Sequence, residues 1–321
     1  MNESIKEAFR RVRPVNLLII AIFLHFFHHF IVIPVFQAAH ATPGLNAYSF
    51  GFFLGAVLLI TAGGNLFNDF IDYSLDQQYK PHRGHNLSPK TLFFSSILLL
   101  LLGILTGVGI CRYLGAHSLS FVFLLSATGL VLYSLLLKSI PLVGNILIAL
   151  LCALPVIILV NLDYTGFERN TLQAVSMETE QQIRMLIRLQ LIGYAGFAFW
   201  ITLIREITKD IEDVEGDGAF GQQTLAVRYG IGFAKSIASL LILLAMALLG
   251  WLQYHVFTPD LAPKQFWYIL FSIQFSLLIT LFSTFPVVRP KEMAFTNLFL
   301  KLIMLQGILA IPLFYHWSKS I

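Results

Sequence analysis

The residues with the greatest chemical capacity are six aspartates in two clusters. The first lies in Asn68-Asp69-Phe70-Ile71-Asp72-Tyr73-Ser74-Leu75-Asp76, the second in Arg205-Glu206-Ile207-Thr208-Lys209-Asp210-Ile211-Glu212-Asp213-Val214-Glu215-Gly216-Asp217. Asp69, Asp72 and Asp76 recur as Asp210, Asp213 and Asp217 at a constant offset of 141 residues, so both clusters read D-x-x-D-x-x-x-D. Spacings of three, four and seven place such carboxylates on one face of a helix. Like charges held there repel unless cations bridge them, and Mg2+ is characteristically shared between one or two carboxylates and substrate phosphates. For either cluster alone, a solvated acidic helix end paired with neighbouring Lys and Arg is an equal reading; the repetition favours a metal-diphosphate site. Lys80 and Arg83 follow the first cluster, Arg205 and Lys209 lie within the second, and Lys138 stands in a turn between them. As a set they can give charge-assisted hydrogen bonds to the spare oxygens of a diphosphate.

The elements that must position these residues lie in a membrane. Of 321 residues, 57% are hydrophobic and 12% charged, 29 are Phe, and the mean hydropathy is +0.77. Those values exclude a soluble globular enzyme, a disordered chain and a solvated coiled coil. The net charge of +4 is carried at the ends of apolar runs, which points to membrane anchoring and away from nucleic acid. Cys111 and Cys152 sit inside apolar runs and read as small buried hydrophobes, with no disulfide framework or cysteine-rich metal site. The first apolar run, 15–36, follows Lys6, Arg10, Arg11 and Arg13, but it is too long for a signal-peptide core and reads as a retained span.

About 20 apolar residues cross a ~30 Å hydrocarbon core. Nine runs qualify: 15–36, 48–68, 91–111, 118–137, 141–161, 187–204, 234–255, 266–287 and 295–316. With the N-terminus inside, fifteen Lys and Arg fall on the cytoplasmic side and six on the other, as the positive-inside rule requires. Twelve of the seventeen acids also fall inside, both clusters among them. Four spans separate the two clusters, so both helices run in the same direction and end on one membrane face. The single long external connection, 162–186, reads as a polar surface loop, leaving residues 1–321 as one membrane-embedded domain. The expected fold is therefore all-α and polytopic, with about nine transmembrane helices in one bundle.

Span one also carries His25, His28 and His29 at one-turn spacing. An i, i+4 pair can bind a transition metal, but no acid or thiol lies nearby in sequence. Hydrogen-bonded pocket or interhelical histidines are the better reading.

Taken together these residues resemble the UbiA superfamily of intramembrane prenyltransferases. The carriers are Asn68-Asp69-x-x-Asp72-x-x-x-Asp76, Tyr133-Ser-x-x-Leu-Lys138 with Gly144-Asn145, and Lys209-Asp210-x-x-Asp213-x-x-x-Asp217 followed by Thr224-Leu225. The likeness spans nearly the whole chain, including the nine spans and Arg13-Pro14-x-Asn16 at the start of the first. It implies a helical bundle in which Asp69, Asp72, Asp76, Asp210, Asp213 and Asp217, with Asn68, bind Mg2+, or Mn2+ in its place, and an isoprenoid diphosphate. It further implies that Asn16, Asn68, Lys80, Arg83, Tyr133, Lys138, Asn145, Arg205 and Lys209 contact substrate. The second motif looks most like the branch that prenylates geranylgeranylglyceryl phosphate. After the first motif the family commonly carries Arg-Pro-Leu and Ser-Gly, whereas this chain reads Pro81-His82-Arg83-Gly84-His85-Asn86. An aromatic, quinone-pathway acceptor is therefore the alternative to a lipid phosphate. A transporter is a rival from another class, but its charges belong near the bilayer midplane, whereas these cluster at one face. A non-catalytic, lipid-binding relative is a third reading, against which six intact aspartates argue.

Overall fold

The computed structural model describes residues 3–79, 86–171, 177–285 and 290–318, and every regular element among them is helical. The chain divides into two compact units, Met1–Leu136 with Leu154–Ile192, and Leu137–Ala153 with Gly193–Ile321.

The first unit holds α1 (Glu3–Arg11), α2 (Pro14–Phe27), a π-helical turn (His28–Val32), α3 (Ile33–Ala38), α4 (Ala47–Ile71), α5 (Tyr73–Tyr79), α6 (Pro89–Leu114) and α7 (Ser120–Leu135). It also includes residues 154–171 of α8 (Val143–Thr171) and 177–192 of α9 (Met177–Glu212). Local chemistry sets the helix starts. Pro14 and Pro89 occupy first-turn positions where a missing N–H costs nothing, the Asn46 side chain accepts the Ser49 N–H at 2.9 Å, and Ser88 Oγ accepts the Thr91 N–H at 3.1 Å. The π-turn immediately precedes and overlaps the reach of Pro34, whose ring would crowd the carbonyl four residues back; a widened turn relieves that clash. In lipid, helices associate by close packing rather than by leaving water. α4 and α6 do so through glycine: a Cβ on Gly63 would lie 2.8 Å from Leu100 Cγ, and one on Gly103 2.7 Å from Ile60 Cγ1. This contact fixes α4, whose last turns carry the first acidic motif.

The second unit contains a 3-10 turn (Leu137–Ser139), residues 143–153 of α8, residues 193–212 of α9, α10 (Val214–Ala219), α11 (Leu225–Tyr229) and α12 (Ile231–His255). α13 (Pro263–Tyr268), a π-turn (Ile269–Gln274), α14 (Phe275–Thr284) and α15 (Met293–Ser318) complete it. An apolar stripe on α9 holds that helix in place: Ile201 and Ile204 pack with Ile242, Leu277 and Leu300, while Ile207 and Ile211 pack with Leu225 and Ala238. Trp200 Nε1 adds a 2.8 Å hydrogen bond to the Leu241 carbonyl.

Nine helical segments among the described residues have the length and composition to cross a membrane, and they match the nine apolar runs of the sequence. Two expectations fail. Cys111 is buried as read from the sequence, but Cys152 is exposed on the surface of α8. The stretch 162–186 reads as a surface loop from its composition, yet α8 continues to Thr171 and α9 begins at Met177. Although polar overall, these extensions bury Phe167, Ile183 and Ile187 completely, and Arg184 ties Glu180 one turn back at 2.8 Å and also reaches Glu168. Apolar anchors at helical spacing and an i, i+4 ion pair sustain helix where composition alone suggests none.

Candidate active site

Both acidic motifs interrupt the helix that bears them. α4 ends at Ile71 and α5 starts at Tyr73, with Asp72 at φ −84°, ψ 8° between them. α9 ends at Glu212 and α10 starts at Val214, with Asp213 at φ −93°, ψ 4°. The three aspartates of each motif therefore do not share one continuous helical face, which corrects the expectation from spacing. Asp69 and Asp210 sit in the last turn of a membrane helix, Asp72 and Asp213 at the break, and Asp76 and Asp217 on the short helix that follows.

In the first unit Asp69 is buried and meets two arginines: Arg11 at 3.4 Å from Oδ2 and Arg13 at 3.3 Å from Oδ1. Arg11 is itself buried and its Nε donates to Glu7 Oε1 at 2.8 Å, so a chain of alternating charge runs Glu7–Arg11–Asp69–Arg13. Arg13 holds a left-handed backbone (φ 57°, ψ 62°), uncommon for a side chain of this size, at the turn between α1 and α2. Asn65 Nδ2 secures that turn through the Val12 carbonyl at 3.1 Å. Asn68 Nδ2 donates to Asp72 Oδ2 at 3.0 Å. Asn16 lies half-buried in the first turn of α2, and Tyr133 half-buried near the end of α7. Lys80 and Arg83 lie outside the described residues, as does the side chain of Asp76.

In the second unit Asn145, buried in the first turn of α8, donates from Nδ2 to Asp210 Oδ2 at 2.8 Å. Arg205 pairs with Glu206 at 2.7 Å, while Lys138 and Lys209 are half-buried. Asp217 is buried, and its carbonyl accepts the Gln222 N–H at 2.9 Å across a turn made by Gly221 at φ 72°. Just beyond, Gln222 Oε1 and Thr224 Oγ1 are buried without a hydrogen-bond partner. Buried polar atoms of that kind call for a ligand or solvent.

The site residues offer carboxylate and amide oxygens, the donor set that hard divalent cations take. Among the described residues no three His, Cys, Asp or Glu side chains stand close enough to hold an ion by themselves. The histidines of span one serve elsewhere. His28 is buried with Nε2 3.3 Å from Asp163 Oδ2 and its ring stacked on Phe50, while His25 and His29 stack on each other. The sequence shows no acid near them because Asp163 arrives from α8; its Oδ1 also accepts the Leu45 N–H at 2.9 Å.

In the sequence Arg11 and Arg13 read as membrane anchors, and no motif singles out Glu7, Asn65 or Asn297. The i, i+4 spacing of Glu7 and Arg11 is the available signal for the first pair. Asn297, a polar residue in the run Met293–Phe299, offers a weaker one.

An all-α, multi-pass membrane protein with two acidic helix breaks of one design is the class that fold and site define. The model of the UbiA prenyltransferase family matches residues 29–303, and the chain belongs to that family. Digeranylgeranylglyceryl phosphate synthase of Methanobrevibacter smithii is 32% identical over 206 residues, which is 63% of this chain and 66% of that protein. The matched stretch is thus just under two thirds of the relative's length. The solved structure of a digeranylgeranylglyceryl phosphate synthase is similar with a TM-score of 0.56 at 20% identity, over 97% of this chain and 99% of that one. A UbiA homologue from Archaeoglobus fulgidus bound to GPP and Mg2+ gives a TM-score of 0.54 at 16% identity, over 95% and 99%. At these identities the likeness to the solved structures is one of fold.

Proposed function

We propose that this chain catalyses Mg2+-dependent transfer of a prenyl group from an isoprenoid diphosphate to the hydroxyl of a polar lipid phosphate of the geranylgeranylglyceryl phosphate class. The observation that carries this reading is the repeated acidic break centred on Asp72 and Asp213 in a chain of this family. The M. smithii relative, a digeranylgeranylglyceryl phosphate synthase, supports the choice of acceptor.

In the first unit Asp69 and Asp72, with Asn68, and in the second Asp210 and Asp213, would each be metal ligands, with Asp76 and Asp217 completing the acidic set of each motif. No three described acids suffice alone, so diphosphate oxygens would supply further ligands. When bound, Mg2+ supplies neutralisation of the leaving diphosphate. Lys138, Arg205 and Lys209, together with Lys80 and Arg83, would take its remaining oxygens and the phosphate of the acceptor. Asn145 holds the Asp210 carboxylate in a fixed direction, which is the preorganisation that electrostatic stabilisation requires. The bond from prenyl C1 to the diphosphate oxygen breaks with its electron pair on the diphosphate. A new bond forms from the acceptor oxygen to C1, and the hydroxyl proton leaves to water, so that the products are the prenyl ether, diphosphate and one proton. The ring of Tyr133 could stabilise allylic cation character by ~0.5–2 kcal/mol. Both motifs and the N-terminus would face the cytoplasm, the side to which fifteen of the twenty-one Lys and Arg are assigned.

The test is to incubate the purified protein with Mg2+, geranylgeranyl diphosphate and a panel of lipid-phosphate and aromatic acceptors, and to identify products by mass. A prenylated glyceryl phosphate lipid is expected. Efficient prenylation of a hydroxybenzoate or dihydroxynaphthoate, with glyceryl phosphate lipids untouched, would replace the lipid reading by the quinone-pathway one.

A further inference from the structure

The last two turns of α9 gather Glu206, Asp210 and Glu212, with Asp213 directly after them, at the end where the helix's own carbonyls already carry partial negative charge. Such a helix end must be held by donors or it frays and repels itself. Asn145 holds Asp210. Glu212 stands outside the repeated aspartate pattern, and at ~100° per residue it lies on the opposite side of the helix from Asp210, with Thr208 one turn before it on its own face.

That second face is gripped by one residue of α15. Asn297 Nδ2 donates to Glu212 Oε2 at 2.5 Å, and Thr208 Oγ1 donates to Asn297 Oδ1 at 2.7 Å. Thr208 is 0% and Asn297 9% exposed, while Glu212 is half-buried. A carboxylate only accepts and an amide nitrogen only donates, so the Glu212 bond sets the orientation of Asn297 and leaves its Oδ1 to accept from Thr208, whose hydroxyl also has the Arg205 carbonyl within reach at 3.0 Å. Rotating α9 about its axis, or sliding it by one residue, would break both bonds.

We infer that Asn297 is a positioning residue for the second acidic motif: by bracing Thr208 and Glu212 from behind, it sets the direction in which Asp210 and Asp213 present their carboxylates. The inference rests on the proposed reading of that motif as a metal-diphosphate site. Asn297 touches neither Asp210 nor Asp213 in any hydrogen bond described, and so acts through the helix.

The variants Asn297→Asp, Glu212→Gln, their combination and Thr208→Val separate this role from mere stability. Asn297→Asp keeps the acceptor for Thr208 but sets a carboxylate against Glu212. Glu212→Gln alone preserves the bond, since its amide oxygen accepts as before. In the double variant the bond re-forms with reversed polarity, the introduced amide at position 212 donating and the introduced carboxylate at position 297 accepting. Mn2+ binding in the presence of inorganic diphosphate is read directly by electron paramagnetic resonance on the detergent-purified protein, alongside kcat and KM for prenyl transfer. Asn297→Asp should weaken Mn2+ binding at least threefold and lower kcat/KM at least tenfold. Glu212→Gln should remain within twofold of the parent, and the double variant should return to within threefold on both measures. Thr208→Val should fall between, and it decides the question if Asn297→Asp fails to fold: unchanged Mn2+ affinity there overturns the inference. So does an Asn297→Asp variant that folds and binds Mn2+ normally, or a double variant that stays as impaired as Asn297→Asp. Failure of the parent protein to prenylate any acceptor would count against the proposed reaction and leave the Mn2+ comparison to judge Asn297.

Discussion

Asp72 and Asp213 stand at equivalent breaks in two different helices, with φ, ψ of −84°, 8° and −93°, 4°, and each backbone N–H bonds the carbonyl four residues back at 2.9 Å. The duplication thus extends from residue spacing to backbone shape. Each middle aspartate closes a membrane helix and turns the chain into a short following helix. The two sides differ in how the preceding aspartate is balanced: Arg11 and Arg13 stand beside Asp69, whereas Asn145 donates to Asp210.

Asp72→Asn and Asp213→Asn should each lower kcat/KM by about 10²–10³, the cost of removing one preorganised electrostatic partner. The change is isosteric, so melting temperature in detergent should move little. Unchanged rates in both variants would place the chemistry elsewhere.

Chelation should abolish turnover, and added Mg2+ or Mn2+ should restore it. Clustered carboxylates with amide oxygens suit hard cations, so Ca2+ should bind without matching the rate. Full activity in excess chelator would remove the metal from the mechanism.

Arg11→Gln removes the cation shared by the buried carboxylates Glu7 and Asp69, which keep the Asn86 N–H and Arg13 as partners, and should cost ~1–3 kcal/mol of stability, the scale of losing a charge-assisted hydrogen bond in a buried site. Glu7→Gln added to it should recover part of the loss. A melting temperature unmoved by Arg11→Gln would contradict the alternating charge chain.

His28→Ala should lower the melting temperature while leaving kcat and both KM values near the parent. The described contacts of His28 are with Asp163 and Phe50, neither of them a motif residue. A large fall in kcat without destabilisation would give His28 a part in catalysis.

Cysteines introduced at Gln78 and Gly218, both exposed, in a background lacking Cys111 and Cys152, should resist an impermeant thiol reagent applied to intact cells and react after permeabilisation. Labelling of either from outside would invert the proposed orientation.

The nine spans were legible in the amino-acid sequence because the cost of placing a residue in hydrocarbon adds along the chain, window by window, without reference to any partner. The acidic motifs were legible for a similar reason: their signature is spacing, and it is repeated. What tertiary structure alone decided is pairing. Glu212 and Asn297 are 85 residues apart, Leu45 and Asp163 118, Arg11 and Asp69 58. Nothing in the neighbourhood of either member specifies the other, because helix packing, set by features such as the Gly63 and Gly103 contacts, brings them together. The helix breaks at Asp72 and Asp213 belong with those pairings, since neither carries the local Gly or Pro signal that would end a helix there. The helical course of 162–171 and 177–186 likewise depends on where Phe167, Ile183 and Ile187 are buried, which composition cannot show.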